Sequence, residues 1–570
     1  MTKCIATIAI LGTCITASAD VRLPTIFGDS MILQQGSSNA VWGWADAGET
    51  VAVKASWGAE ASAKTGKDGK WKVMLKTPGH GKGHSLTVSG ANTVQIRNVA
   101  IGEVWLCAGQ SNMGWALFHT FGGQEEAATA TAPGFRIYKS LRRHWFEPLE
   151  DCPTGKWSQC TPESAGATSA VSYYFGKTLH EELGIPVGII VQAYAGTPIE
   201  GWMPYGIQQD NPWSIALKRD LDGRPKRLSK EEALAKYEKE LKEYKDKIAR
   251  GETRRFNRPL QPPNITQPQP LGHQYPANVF NAMIHPIRPY GIRGAIWYQG
   301  ERNAKNPWMA AGYRSQLALV IKYYRRSWHE LSGGHVADDF PFLFTQLPSW
   351  CAEQQAPVEG DEAPWAVSRE MMRLVSQDLP NTGMAVSIDT GDAIVLHPKN
   401  KKPIGLRHAY LALEKVYGKD IVGSGPVYRK SRIDGGKVVL EFGSVGSGLM
   451  AAKPSTLDTF AIAGKDRKWH WADAAIEGDT VVVSSPKVPQ PVAVRYAWAM
   501  NPSQRNLLYN KEGIPASPFR TDDWPLFERK YGRESTYNDP KKTKREGYQP
   551  EDWKRPAMTQ SSRGEPRAQE

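Results

Sequence analysis

The sequence predicts an α/β protein: a three-layer α/β/α core around a parallel sheet, flanked by N-terminal and C-terminal β-sandwich-like domains. Three observations lead there. Through the middle of the chain, short apolar runs alternate with stretches of helical periodicity, the pattern of a parallel sheet covered by helices. On either side the pattern changes to period-two alternation broken by Gly and Asp turns, as antiparallel strands require. With 570 residues, 40% apolar and 10% aromatic, the chain can fill several cores.

Taken in order, residues 1–19 read as a cleaved secretory signal. A positive end at Lys3 precedes an apolar stretch over 5–15 and an Ala17-Ser18-Ala19 site, so the mature chain is expected to start at Asp20. Thr13 before Cys14 does not suit lipoprotein cleavage. No later apolar run approaches the roughly 18 residues of a membrane span. A secreted or periplasmic protein is expected.

Residues 20–100 are expected to form the first β-sandwich, with strands over 51–55 and 71–75 and turns at Asp68-Gly69 and Gly90. Residues 101–420 carry the α/β alternation, with strands at 104–108, 187–191, 295–298 and 384–388. One helix runs over 168–183 and stops at Gly184 and Pro186; another carries Tyr313, Leu317, Ile321, Tyr324 and Trp328 on one face. An insertion at 205–275 contains a capping box from Ser229 to Glu232. An amphipathic helix with Leu234, Tyr237, Leu241, Tyr244 and Ile248 follows, then a Pro/Gln-rich segment over 259–270. Residues 421–523 return to β patterning, with strands at 438–442 and 481–483 between Gly435-Gly436 and Gly478-Asp479 turns. Residues 524–570 are charged, poor in aliphatics and expected to be disordered.

The formal charge of +13 fits an anionic polymer partner. The basic residues are dispersed or interleaved with glutamates, however, and no nucleic-acid module is recognisable. An acidic polysaccharide is compatible with the charge; nucleic acid is not the expected partner. Of the six cysteines, Cys4 and Cys14 would leave with the signal. Cys152 and Cys160 lie in a loop where they could pair in an oxidising compartment, and Cys107 reads as a buried thiol. No CxxC pair or His cluster suggests a metal site.

Every chemically suggestive cluster follows an α/β strand, and ligands bind beyond strand carboxyl ends in such sheets. Gly109-Gln110-Ser111-Asn112-Met113-Gly114 follows the first strand. Gln192 to Trp202, with Ala195-Gly196, follows the second. Gln299-Gly300-Glu301-Arg302-Asn303 follows the third, and Asp389, Asp392 and His397 follow the fourth. A serine hydroxyl needs a base to take its proton, and His397 suits that role for Ser111. A carboxylate usually orients the imidazole; Asp392 is the candidate, and a Ser–His dyad held by a backbone carbonyl competes with it. Donors for a developing oxyanion are found in a glycine turn at Gly196 and in the Asn303 amide. Gln110, Glu301, Arg302 and Trp202 are candidates for substrate contact. Core packing competes for Trp202 and Trp297, a buried network for Glu301, and a hydrogen bond within the loop for Gln110. Asn112 reads as a helix cap, and His273, His285 and His408 as structural.

AGQSNM, AGTPIEGW, IWYQGERNA and LHPKNKKPIGLRHA resemble the sialate O-acetylesterase family within the SGNH (GDSL-like) hydrolases. The similarity extends through LPTIFGDSMILQ and VWGWADAGE to PVAVRYAW and LYNKEGIPASPFRTD, about residues 20–523. The resemblance implies that 101–420 is an SGNH hydrolase catalytic domain. It implies a nucleophile at Ser111, a base at His397, and an oxyanion hole from the Ser111 N–H, Gly196 and Asn303. The implied reaction is hydrolysis of O-acetyl esters on sugars through an acyl-enzyme, without metal or organic cofactor. Acetylxylan or another polysaccharide is the alternative substrate, and a non-catalytic carbohydrate-binding protein the alternative class. Three positions depart from the family pattern. Ala195 replaces a glycine and Arg302 a serine, and Val395 stands where the family frequently has an Asp two residues before the histidine.

Overall fold

The structure is a computed structural model that describes residues 20–152, 154–223, 230–252, 272–358 and 363–526. The expected signal segment, Ser229 of the expected capping box, the 259–270 segment and residues 527–570 of the expected tail lie outside the described residues.

Seven strands form the central sheet: β1 (Thr93–Gly109), β2 (Ala132–Lys139), β3 (Lys156–Cys160), β4 (Val187–Ala193), β5 (Gly294–Tyr298), β6 (Phe342–Thr345) and β7 (Thr382–Ala385). Their order is β7-β6-β5-β1-β4-β2-β3, and all neighbours are parallel except the antiparallel pair β2 and β3. Buried on both faces, β4 and β5 read as continuous apolar runs rather than alternating ones. Helices cover both sides. The one-turn α1 (Ser111–Gly114) follows β1 directly, and α2 (Ala170–Leu183) packs on one face of the sheet with α5 (Lys402–Lys415), leaving α3 (Pro307–Leu331) and α4 (Pro364–Asp378) on the other.

Local chemistry explains the boundaries. Ser169 caps α2 by accepting from the Ser172 N–H, and the helix ends at Gly184, whose φ of 67° a residue with a Cβ adopts at a cost. Asn306 caps α3, whose Tyr313, Leu317, Ile321, Tyr324 and Trp328 are all buried as their spacing predicts.

The register of β1 positions the site. Gly109 lies opposite Ala193 of β4 on one side and Tyr298 of β5 on the other. Three strands therefore end at one level, and the loops after them start side by side. Gly109 is required there, because a Cβ would run into the Tyr298 carbonyl.

The first half of β1 pairs with Gly81–Ser89, and Ile32–Gln34 joins it from the other side. One strand thus runs from the N-terminal β region into the central sheet, so the expected boundary at 100/101 falls within a continuous strand. At the other end, two four-stranded antiparallel sheets enclose a core that includes Leu440, Val481, Phe460, Val494 and Phe519.

Several expectations are corrected. The strand expected at 384–388 is Thr382–Ala385, and a 3-10 turn, Ile388–Thr390, replaces its end where the Thr390 N–H bonds back to Ser387. The insertion holds a second helix, Pro212–Asp222, capped by Asn211, besides the expected one at Lys230–Ala249. Cys152 and Cys160 are both free and buried: Cys152 Sγ points at the Ala282 carbonyl, 3.6 Å away, and Cys160 ends β3. Cys107 is buried in β1, where desolvation pushes its thiol up to about 12. No helix among the described residues is long and apolar enough to cross a membrane.

Candidate active site

Ser111 opens α1 immediately beyond Gly109, and Met113 anchors that turn to α2 by accepting from the Ser172 hydroxyl at 3.5 Å. Ser111 Oγ lies 2.8 Å from His397 Nε2, a separation suited to proton transfer. His397 comes from the segment between β7 and α5, and its half-buried ring stacks on Trp115 with centroids 4.8 Å apart and planes 15° from parallel. Burial, and then the charge of Lys401, hold the imidazole below its ordinary pKa, so it stays neutral and able to accept a proton at lower pH than a free histidine.

The expected acid is not brought against this imidazole. Asp392 Oδ1 accepts from the Ile394 and Val395 N–H groups at 2.7 and 2.8 Å, an Asx turn that shapes the segment leading to His397. Asp389 forms a bidentate pair with Arg407 and accepts from the Tyr509 hydroxyl. Among the described residues, no hydrogen bond reaches His397 Nδ1.

On the other side of Ser111, Gly196 has φ +72°, a left-handed conformation that suits glycine. Thr197 fixes this turn by donating to the Tyr194 carbonyl at 2.8 Å, and Gln299 Nε2 donates to the Thr197 carbonyl at 3.1 Å. Asn303 is buried. Its Oδ1 accepts from the Ile199 N–H and from Gln299 Nε2, both at 2.9 Å. Its Nδ2 carries two hydrogens, and one goes to Glu200 Oε2 at 2.9 Å. That leaves one amide hydrogen uncommitted among the described residues. Glu200 is itself buried and accepts from Gln316 at 2.6 Å, with burial raising its carboxyl pKa.

Three of the four residues expected to contact substrate are buried and bonded within the protein. Gln110 is buried and accepts from Gln299 Nε2 and the Arg302 N–H. Trp202 is fully buried, donates to Thr197 Oγ1 at 2.8 Å and packs edge-on against Trp297. Glu301 is buried and accepts from Asn112. Arg302 alone is partly exposed, its guanidinium donating to Gln274 at 2.8 Å. His285 and His408 are held by Arg288 and Thr345, away from Ser111.

Sequence reasoning missed two groups. Half-exposed His273 stacks on Tyr194 at 4.8 Å, His144 bonds the Tyr194 hydroxyl at 3.1 Å, and Gln274 Nε2 donates to the Gly196 carbonyl. These residues form an aromatic and polar wall beside the Gly196 turn, and no local pattern marks them. The second group centres on Asn112, the residue after the serine. Buried Lys401 donates to Asn112 Oδ1 at 2.5 Å, and Asn112 Nδ2 donates to Glu301 and to the Leu396 carbonyl. Burial pushes Lys401 down to about 7 and raises Glu301. Asn112 is therefore not a helix cap. Among the described residues, no cluster of three or more His, Cys, Asp or Glu is arranged to hold a metal ion.

No family model matches the chain. It is similar to the sialate O-acetylesterase of Mus musculus, 27% identical over 538 residues that cover 88% of this chain and 95% of the relative. It is similar to the Homo sapiens sialate O-acetylesterase at 26% identity, covering 88% and 93%. Among solved structures, a carbohydrate acetylesterase from Xanthomonas citri superposes with a TM-score of 0.72 at 34% identity, covering 89% of this chain and all of that one.

Proposed function

The chain belongs to the sialate O-acetylesterase family and is a carboxylic ester hydrolase, and from that premise we propose that it removes O-acetyl groups from carbohydrates through an acyl-enzyme on Ser111. The observation that carries the mechanism is the 2.8 Å approach of Ser111 Oγ to His397 Nε2 at the carboxyl end of β1.

In this reading His397 takes the hydroxyl proton as Oγ attacks the acetyl carbon. The tetrahedral oxyanion is met by the Ser111 and Gly196 N–H groups and by the uncommitted Asn303 amide hydrogen. His397 then protonates the departing sugar oxygen. Water, deprotonated by the same imidazole, attacks the acyl-enzyme and releases acetate.

With no hydrogen bond to Nδ1 among the described residues, the imidazolium of the transition state is supported by the Trp115 face. Such a contact contributes about 0.5–2 kcal/mol, roughly a 2- to 30-fold effect on rate. Loss of a triad acid costs on the order of 10⁴ in kcat. The stack is therefore only a partial substitute, and turnover is expected to be slower than in a full triad. The wall of Tyr194, His144, His273 and Arg302 offers stacking and hydrogen bonds to a sugar ring beside the ester.

Purified protein is expected to release acetate from an aryl acetate, and Ser111→Ala to abolish this. Undiminished turnover in that variant would remove Ser111 as the nucleophile. Absent wild-type turnover with sugar binding intact would favour a binding protein. Acetate release compared between O-acetylated sialic acid and acetylated xylan separates the sialate and polysaccharide readings. The proposed site of action is secreted or periplasmic. N-terminal sequencing of the exported protein is expected to begin at Asp20, and an intact Met1 would overturn export by cleavage.

A further inference from the structure

We propose that Lys401, Asn112 and Glu301 form a positioning strut that sets the approach of His397 to Ser111. The inference rests on the serine-esterase reading above and goes beyond it by assigning a role to a buried cluster next to the nucleophile.

The argument starts from what one carboxamide can do. An Asn side chain has one acceptor oxygen and two N–H donors. In Asn112 all are committed: Oδ1 accepts from Lys401 Nζ, and Nδ2 donates to Glu301 Oε1 and to the Leu396 carbonyl. These partners lie 189, 284 and 289 residues away in sequence. Asn112 directly follows the nucleophile, and Leu396 directly precedes the base. Glu301 lies two residues before the oxyanion donor Asn303. One side chain thus ties together the three loops whose relative position defines the site.

The charges give the tie its direction. Lys401 Nζ donates to Oδ1 and Glu301 Oε1 accepts from Nδ2, so the amide as oriented satisfies both partners, and it does so most firmly below about pH 7, where Lys401 is an ammonium. Flipping it would set Nδ2 against Lys401 and Oδ1 against Glu301. Lys401 is fixed further by lying 5.4 Å over the Tyr298 ring, at the end of β5. The titratable groups acting on it are Glu301, from the loop after β5, and His397, from its own segment. Asn112 and Tyr298 are its uncharged neighbours.

Stability alone does not account for this arrangement. Glu301 Oε2 is buried without a partner among the described residues, and Lys401 is fully buried. Replacing such buried charges with apolar groups is often neutral or stabilising.

The test uses the full-length enzyme and an aryl acetate, with kcat and KM measured across pH for wild type, Lys401→Met, Lys401→Arg and the double variant Lys401→Met/Glu301→Gln. Lys401→Met is expected to lower kcat about 10- to 100-fold with KM within about twofold, as a misplaced reacting group does. The acid limb of kcat/KM is expected to move to higher pH, because the cation that disfavours imidazolium is gone. Lys401→Arg keeps the charge, so it is expected to hold the acid limb near wild type and recover part of kcat. The double variant carries neither buried charge. It is expected to regain the thermal stability that Lys401→Met loses, without regaining kcat.

Wild-type kcat with an unmoved acid limb in Lys401→Met would overturn the strut, as would full kcat in the double variant. NMR titration of the His397 ring reads the same upward shift without turnover. A failure of the esterase reading is therefore distinguishable from a failure of this one.

Discussion

Ser111 stands at the end of a strand whose neighbours on both sides finish at the same level, whereas His397 sits on a segment where Asp392, Ile394 and Val395 face solvent. The nucleophile side is enclosed by a chain of bonds running from Gln110 through Gln299 to Asn303 and Glu200. The base is held by a ring stack and by the contacts at either end of its short segment. The difference teaches where the site is rigid. The proposed oxyanion donors are tied into the bond network at the sheet edge, while the imidazole is placed by a few removable contacts. Variants on the nucleophile side should therefore cost more rate than variants around the base that leave Nε2 in place.

After Ser111 itself, the largest effect is expected at Asn303. Asn303→Ala removes one oxyanion donor, and kcat is expected to fall about 10²- to 10³-fold with KM little changed. It also takes the Asn303 partner from Glu200 Oε2, which leaves that carboxyl with its bond to Gln316, and leaves the Ile199 N–H unpaired, about 1–3 kcal/mol of stability for each buried atom left bare. Steady-state kinetics and thermal melts separate the two effects. A lower Tm with full kcat would leave the hole to backbone donors alone.

Gly196→Ala comes next. The new Cβ would meet His273 Nε2 only at ordinary contact distance, 3.5 Å, so the penalty is that of the left-handed backbone. That is about 1–2 kcal/mol, and a loss near tenfold in kcat is expected if the turn shifts to relieve it. An unchanged kcat would show that the Gly196 N–H stays in place under strain.

The same contrast governs what was legible in the sequence. Strand cores, the α2 stop at Gly184 and the loops around Ser111, Gly196, Asn303 and His397 are readable because their signals are local: apolar runs, glycine turns and contiguous motifs. The contacts of Asn112 are not, since β1 and β5 become neighbours only through sheet order, and nothing near Asn112 in sequence points to Lys401. Trp115 is three residues beyond Asn112 in a stretch with no periodicity to betray its stack on His397. Trp202 misleads in the other direction, because a tryptophan after a glycine turn suits a sugar platform as well as a core. The expected domain boundary at 100/101 follows a real change in composition, but backbone hydrogen bonding continues across it. Asp392 is in the right neighbourhood, but its carboxylate is taken up by the Ile394 and Val395 N–H groups.

Around the base the expected effects are smaller. Trp115→Ala removes the stacked face and is expected to lower kcat several-fold, within the roughly 2- to 30-fold range of one such contact. A loss near that of Asn303→Ala would mean that the stack, rather than the strut, holds the imidazole.

The smallest effect is expected from placing an acid at Val395. Val395 is 43% exposed, so a carboxylate placed there would act mostly through water. At such a site an ion pair with imidazolium is worth about 1 kcal/mol or less. Val395→Asp is therefore expected to raise kcat at pH 8 by no more than about fivefold. An anion near His397 favours its protonated form, so the acid limb of kcat/KM should move to higher pH, and activity at pH 5 should fall relative to wild type. The two pH–rate curves are expected to cross. A gain of a hundredfold or more at pH 8 would show instead that the base side is limited by an unsupported imidazolium, and that the contacts of Asn112 do not offset it.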